Sequence, residues 1–397
     1  MTTPHQDPIV ILGSARTPMG GFQSDFAGLA AHDLGGVAIK AAVERAGISP
    51  DAVGEVLFGN CLMAGQGQAP ARQAAFKGGL PKSAGAVTLS KMCGSGMQAA
   101  MMAHDMLLAG SHEVMVAGGM ESMTNAPHLL MKGRSGIRIG HDRVMDHMML
   151  DGLEDAYEPG RSMGTFGEDC AAKYGFTREE QDKFAIASVQ RAQAATQSGA
   201  FAKEIAPVTV KGRSGEIVVS VDEGPCKIKL DKIPALKPAF KKDGTITAAS
   251  SSSINDGAAA LVLARESTAK RLGSQPIARI VAHSTHAQEP NWFATAPVGA
   301  VQKLMAKTGW GVADVDLWEI NEAFAVVPMA LMTEMGLSHD IVNVNGGACA
   351  LGHPIGASGA RIMVTLIHAL QARGKKRGIA TLCIGGGEAT ALALELV

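Results

Sequence analysis

One short order of features occurs twice in this chain, and it restricts the possible folds more than any other property of the sequence. In the first half, a strand-like run at 86–90 (AVTLS) leads to Ser95-Gly96, a helical stretch, and the apolar run VMVAGG at 114–119. In the second, Ser358-Gly359 opens a helical stretch at 360–372, and TLCIGGG follows at 381–387. Such self-similarity implies two copies of one α/β unit. Chains built this way place a site where their halves meet.

The remaining pattern agrees. Residues 9–14 (IVILGS) form a β-branched apolar run, which predicts a buried strand. Leu34, Val37, Ala38, Ala41 and Ala42 recur at helical spacing and stop at Gly47, as a helix with a glycine C-cap would. Further strands are predicted at 55–59, 86–90, 113–117, 258–264, 277–282, 316–320, 341–344 and 378–384. Strands alternating with helices are the α/β signature. From 127 to 250 charges, glycines and prolines interrupt the pattern, apart from a helical stretch at 178–198. That segment reads as an inserted, partly helical excursion.

Composition narrows the function. With 46% hydrophobic and 18% charged residues the chain can bury a large core. Its net charge of -1 supplies no field to draw it to nucleic acid or an anionic membrane, so neither partner is expected. No uncharged apolar run reaches the roughly 18–20 residues of a bilayer span, and the first ten residues lack a signal-peptide pattern; a cytoplasmic protein is expected. The six cysteines, Cys61, Cys93, Cys170, Cys226, Cys349 and Cys383, read as thiols rather than a disulfide framework. No metal is expected, because His283 and His286 lack companions at zinc-site spacing.

Three stretches carry chemistry. MCGSGM at 92–97 lies between a strand and a helix. A cysteine there meets unsatisfied amides and the positive end of the helix dipole, which favours thiolate and predicts a nucleophile at Cys93. A buried structural cysteine is the other reading. NGGACALGHPIGASGAR at 345–361 holds His353 among glycines, where it suits a base that activates a thiol. Cys383 precedes three glycines whose amides could line an oxyanion hole, or it is a core cysteine on an apolar strand. A rival also exists. GSGMQA at 94–99 fits G-x-G-x-x-A, with Glu113 near the spacing of a ribose-binding acid, so a nicotinamide oxidoreductase is conceivable.

MCGSGM, NEAFA at 321–325, NGGACALGHPIGASGARI and CIGGG, in this order, resemble the motifs of the thiolases. The likeness covers essentially the whole chain, including ARTPMGGF at 15–22, GQAPARQA at 67–74, AGGMESM at 117–123 and SSINDGAAAL at 252–261. Within the family it is nearest the acetyl-CoA acetyltransferase branch. The resemblance implies a thiolase fold of two similar α/β halves in αβαβα layers. The N-terminal half would be 1–125 plus 251–277, a loop domain binding coenzyme A and making oligomer contacts 126–250, and the C-terminal half 278–397.

The resemblance further implies reversible condensation of two acetyl-CoA to acetoacetyl-CoA and CoA through acetylated Cys93. His353 takes the Cys93 proton, Cys383 is the acid and base at the α-carbon, and Asn321 holds a water in one oxyanion site. The backbone N–H groups of Cys93 and Gly385 form the other. Pantetheine contacts are expected at Leu153, Met163, Ala248, Ser252, Ala323 and Phe324, with Lys227 or Lys229 on a phosphate. Coenzyme A thioesters are substrates, no cofactor is tightly bound, and a homotetramer, a dimer of dimers, is expected. Ser162 replaces a usual histidine and leaves room for a degradative 3-ketoacyl-CoA thiolase; Val189 replaces the tyrosine of a potassium-activated branch; Cys349 is an extra thiol, read as a bystander. A non-catalytic acyl-CoA-binding relative is the distant alternative.

Overall fold

The structure is a computed structural model describing residues 7–212 and 215–397. Its main strands are β1 (Ile9–Arg16), β2 (Glu55–Gly59), β3 (Gly85–Leu89), β4 (Val114–Ser122), β5 (Asn255–Arg265), β6 (Ala278–Ala287), β7 (Leu317–Ile320), β8 (Arg377–Ile384) and β9 (Glu388–Leu396). They form one sheet in the order β7-β8-β9-β6-β1-β5-β4-β2-β3, with the two-residue strand Gly20–Gly21 beside β5.

The two halves of this sheet repeat one another. From β1 outward, β5 and β4 pair antiparallel, then β2 and β3 continue parallel. From β6 outward, β9 and β8 pair antiparallel and β7 continues parallel. The expected strand at 341–344 would be the counterpart of β3, but it shrinks to a single bridge between Trp318 and Val342. Asn343 stands at φ 47°, and a left-handed residue ends an extended run. Its side chain then takes over the pairing, accepting from the Ile320 amide and donating to the Ile320 carbonyl, both at 2.8 Å.

Alternation along the strands builds five layers, because successive side chains point to opposite faces. Val10, Leu12, Val262 and Ala264 bury against α1 (Ala31–Ala46) and α2 (Pro70–Lys77) on one outer face. Ile9, Ile11, Leu261 and Leu263 face inward onto α3 (Ser95–Ala109) and α8 (Ile355–Ala372). The inner faces of β6 to β9 close over the same two helices through Ile280, Leu382 and Leu394. Beyond them, Trp318, Ile379 and Ala393 pack on α6 (Ala296–Thr308) and α7 (Val326–Met335).

Between Ser122 and Asn255 the described residues touch the main sheet only through an isolated bridge from Ile205 to Arg16 of β1; the segment otherwise forms short hairpins and helices, α4 (Met163–Tyr174) and α5 (Arg178–Ser198) among them. Helix α5 begins where Thr177 and Glu180 make a reciprocal capping box. Three boundaries differ from expectation. Strand β4 runs on through its glycines to Ser122 because β5 pairs with it throughout. Helix α8 starts at Ile355, one turn early, since Pro354 suits the position just before a helix. Strand β9 was not expected, because EATALALEL is rich in residues that favour helices; nine consecutive pairings with β6 override that preference.

Candidate active site

The turn after β3 is held by its own serine. Ser95 Oγ accepts from the Lys91 amide at 2.8 Å and donates to the Met92 carbonyl at 2.7 Å. This loop draws Met92 to φ 45°, a strained conformation for a side chain of its size. Cys93 follows, just before the first turn of α3. Its sulfur receives backbone N–H groups from Gly385 and from Cys93 itself.

The expectation of a resting thiolate is not met. Burial pushes the Cys93 thiol up to about 11, outweighing those two amides. The helix end contributes too little because the thiol is largely removed from water. Cys383, on β8, is wholly buried; desolvation and then the neighbouring Cys93 raise it well above a free thiol. Both sulfurs are therefore protonated at rest, and a base must act.

His353 supplies the fitting atom. Ser358 Oγ lies 3.0 Å from the Pro354 carbonyl and 2.5 Å from His353 Nδ1, and when its hydrogen goes to the carbonyl it accepts from Nδ1. That arrangement puts the proton on Nδ1 and leaves Nε2 a bare lone pair. Nε2 is buried without a hydrogen-bond partner among the described residues. Burial, and secondarily Arg361, lowers the imidazole to about 3, so it is neutral at physiological pH. Gly352 sets its approach at φ 94°, where a Cβ would lie 1.9 Å from Asn255 Oδ1.

Cys93, His353 and Gly385 line one cavity of about 60 Å³ with Leu153, Met163, Ser252, Phe293, Ala323 and Phe324. Asn321 and Cys383 are not among its lining residues. The Asn321 amide is fully buried, and neither polar atom has a partner among the described residues. Ala248 and Lys227 line a second, outer cavity of about 480 Å³ with Lys229, Lys232, Ser253, Val189 and Cys349. Lys227 is ion-paired with Glu223, whereas Lys229 has no side-chain partner among the described residues. Ser162 caps nothing with its side chain, but its carbonyl accepts from Thr165 Oγ1 at 2.8 Å.

Several supporting residues escaped the sequence reading although their motifs were noticed. Glu121 of AGGMESM is buried and accepts from the amides of Cys61, Leu62 and Gly356 at 2.8–3.0 Å. It thereby ties the start of α8 to the end of β2. Glu322 of NEAFA accepts from Ser188 Oγ, Asn343 Nδ2 and the Cys349 amide at 2.7–3.0 Å, holding the glycine-rich segment. Burial, then Glu322, pushes the Cys349 thiol up. A buried acid with three donors has no sequence signature beyond its apolar surroundings.

The dinucleotide reading fails on geometry. Glu113 precedes β4 at the end opposite the glycine turn and pairs with Arg271 on the surface at 2.7 Å. No described helix is long and apolar enough to cross a membrane.

Comparisons with known proteins give the family. Residues 9–267 match the family described as thiolase, N-terminal domain, and residues 274–396 match thiolase, C-terminal domain. An acetyl-CoA acetyltransferase of Cupriavidus necator is 47% identical over 389 residues, spanning 98% of this chain and 99% of its own. The crystal structure of the Bacillus anthracis acetyl-CoA acetyltransferase superposes with a TM-score of 0.95 at 41% identity, covering 98% of this chain and 99% of that one. The Acat5 thiolase from Ascaris suum, solved in complex with coenzyme A, gives 0.93 at 42% identity over 98% and 100%.

Proposed function

The chain belongs to the thiolase family, and on that premise we propose that it is an acetyl-CoA C-acetyltransferase, an acyltransferase that joins two acetyl-CoA into acetoacetyl-CoA and CoA and reverses the reaction. One observation carries the assignment of roles: the Cys93 sulfur, with two amide donors on it, shares a small cavity with His353, whose Nε2 carries no proton when Ser358 donates to the Pro354 carbonyl.

In the first half-reaction Nε2 accepts the Cys93 proton as Sγ attacks the thioester carbon. The oxyanion meets the Cys93 and Gly385 amides. The carbon–sulfur bond to CoA breaks, the departing CoA thiolate takes a proton, and acetyl-Cys93 remains. With the thiol near 11, only about one molecule in 10⁴ is thiolate at pH 7, so transfer to His353 must accompany attack.

In the second half-reaction Cys383, left a thiolate because its proton went to the departing CoA while His353 kept that of Cys93, removes a proton from the methyl of another acetyl-CoA, and the carbanion attacks the acetyl carbon. The bond to Cys93 sulfur then breaks, returning the thiol. His353, with the buried amide of Asn321 and a water, stabilises the enolate oxygen; each such donor is worth roughly 10²–10³ in rate. Leu153, Met163, Ser252, Ala323 and Phe324 receive the pantetheine. Ala248 and the lysines of the outer cavity, Lys229 or Lys227, receive the nucleotide end. Residues 126–250 act as the loop domain of this reading, and the protein works as a cytoplasmic homotetramer.

The inner cavity is about 60 Å³ and walled by Phe293, Phe324 and Met163, so with the thiol end of a pantetheine at Cys93 little room is left for a long acyl chain. That favours acetyl over long acyl chains despite Ser162. The test is CoA-dependent cleavage of acetoacetyl-, 3-ketohexanoyl- and 3-ketodecanoyl-CoA, with Cys93→Ala as blank. Efficient cleavage of acetoacetyl-CoA alone is expected. Equal cleavage of the decanoyl substrate would make it a degradative thiolase, and cleavage surviving in Cys93→Ala would overturn the mechanism.

A further inference from the structure

His283 was set aside as a metal ligand because His286 is its only companion in sequence, and the structure sends those two apart: His286 Nε2 meets Gln288 Oε1 at 3.2 Å. The fold instead delivers His283 on β6 to His104 and Asp105, near the C-terminal end of α3. His283 Nε2 and His104 Nδ1 each lie 2.9 Å from the same oxygen, Asp105 Oδ1. The imidazole rings stand nearly perpendicular, at 88°, with centroids 5.1 Å apart. The three ligand atoms all lie within 4.8 Å of one another.

We propose that His104, Asp105 and His283 form a binding site for a divalent first-row transition-metal ion, separate from the acyl-transfer cavity. Two neutral imidazoles and one carboxylate are a donor set for zinc and its neighbours. Tetrahedral ligands about 2.05 Å from a metal are separated by about 3.3 Å, so each 2.9 Å contact has to open by only about 0.4 Å. An ion can therefore enter by replacing the two N–H···O contacts, with each ring nitrogen offering its lone pair and little movement of the backbone.

The environment is consistent with this use. Asp105 is 61% exposed while the two histidines are largely covered, so water can complete the coordination shell on one side. The site bridges the helix that begins beside Cys93 and a strand of the other half. A bound ion adds a cross-link between halves far from the reacting atoms, and whatever binds the folded state alone stabilises it.

The experiment uses the full-length protein freed of metal by chelation and titrated with Zn²⁺. Bound zinc per chain and the thermal midpoint are read for the wild type, His283→Gln and Asp105→Asn. One zinc per chain is expected in the wild type, with a rise in midpoint; each variant should bind at least tenfold more weakly and lose the rise. Metal-free acetoacetyl-CoA cleavage should be unchanged in both variants, which shows that they fold and separates this proposal from the assignment of the acyl-transfer site. Absence of zinc uptake by the wild type would overturn it, as would equal uptake by the variants, which would place the ion on other groups such as the cysteine thiols.

Discussion

Ser358 shows how much a single hydroxyl can decide. When its hydrogen goes to the Pro354 carbonyl, His353 holds its own proton on Nδ1, with Nε2 free to act as a base. Ser358→Ala removes the acceptor at Nδ1 without touching the cavity wall. We expect acetylation of Cys93 to slow by roughly 10–100-fold while KM for acetoacetyl-CoA changes little, and Ser358→Thr to recover part of the rate. The measurement is the burst of CoA release from acetyl-CoA. The pH dependence follows from the same groups. The reactive pair is a neutral thiol beside a neutral imidazole, protonated only below about 3 and ionised only above about 11. The acetylation rate should therefore stay level between about pH 5 and 9, with no titration near the ordinary histidine value of about 6.5. A clear step near 6.5 would contradict the assignment.

At the scale of elements, the repeated Ser-Gly is where the central helices cross. A Cβ on Gly359 would lie 2.4 Å from the Met97 amide nitrogen, and one on Gly96 would lie 2.7 Å from the Ala360 nitrogen. Each glycine admits the other helix's backbone, and each preceding serine anchors a reactive turn: Ser95 that of Cys93, Ser358 that of His353. The repeat thus sets Cys93 and His353, which line one cavity, each two residues ahead of one of the crossing helices. Gly359→Ala must force the helices apart and is expected to cost about 1–3 kcal/mol. Gly28→Ala, with nothing within 4 Å of the added carbon, should be close to neutral. Denaturant unfolding of the two variants checks the contrast.

For the whole molecule, the excursion is fastened to the core by a buried ionic cluster. Arg16, with no exposed surface, donates to Glu204 at 2.5 Å and to both oxygens of Asp222 at 2.6 and 2.8 Å. Arg45 adds bonds to the carbonyls of Glu204 and Ile205. Removing Arg16 would strand two buried carboxylates, a loss of about 3–5 kcal/mol. In Arg16→Ala, limited proteolysis should cut within 126–250 far faster than in the wild type, and coenzyme A should protect it less.

The α/β alternation and the start and end of α5 were legible in the sequence because each rests on local rules, alternation and capping, whereas the layered plan was implied by the resemblance of its motifs. The strand β9, the collapse of the expected strand at 341–344, and the protonation of Cys93 were not legible, since pairing partners and burial belong to the surroundings rather than the segment. Glu121 and Glu322 were written in motifs, yet their donors come from residues tens to hundreds of positions away. The same distance hid the meeting of His283 with His104 and Asp105. Sequence alone determined which side chains could react. Only the tertiary structure decided which of them meet, and how far burial shifts their protons, because both depend on contacts that chain order does not contain.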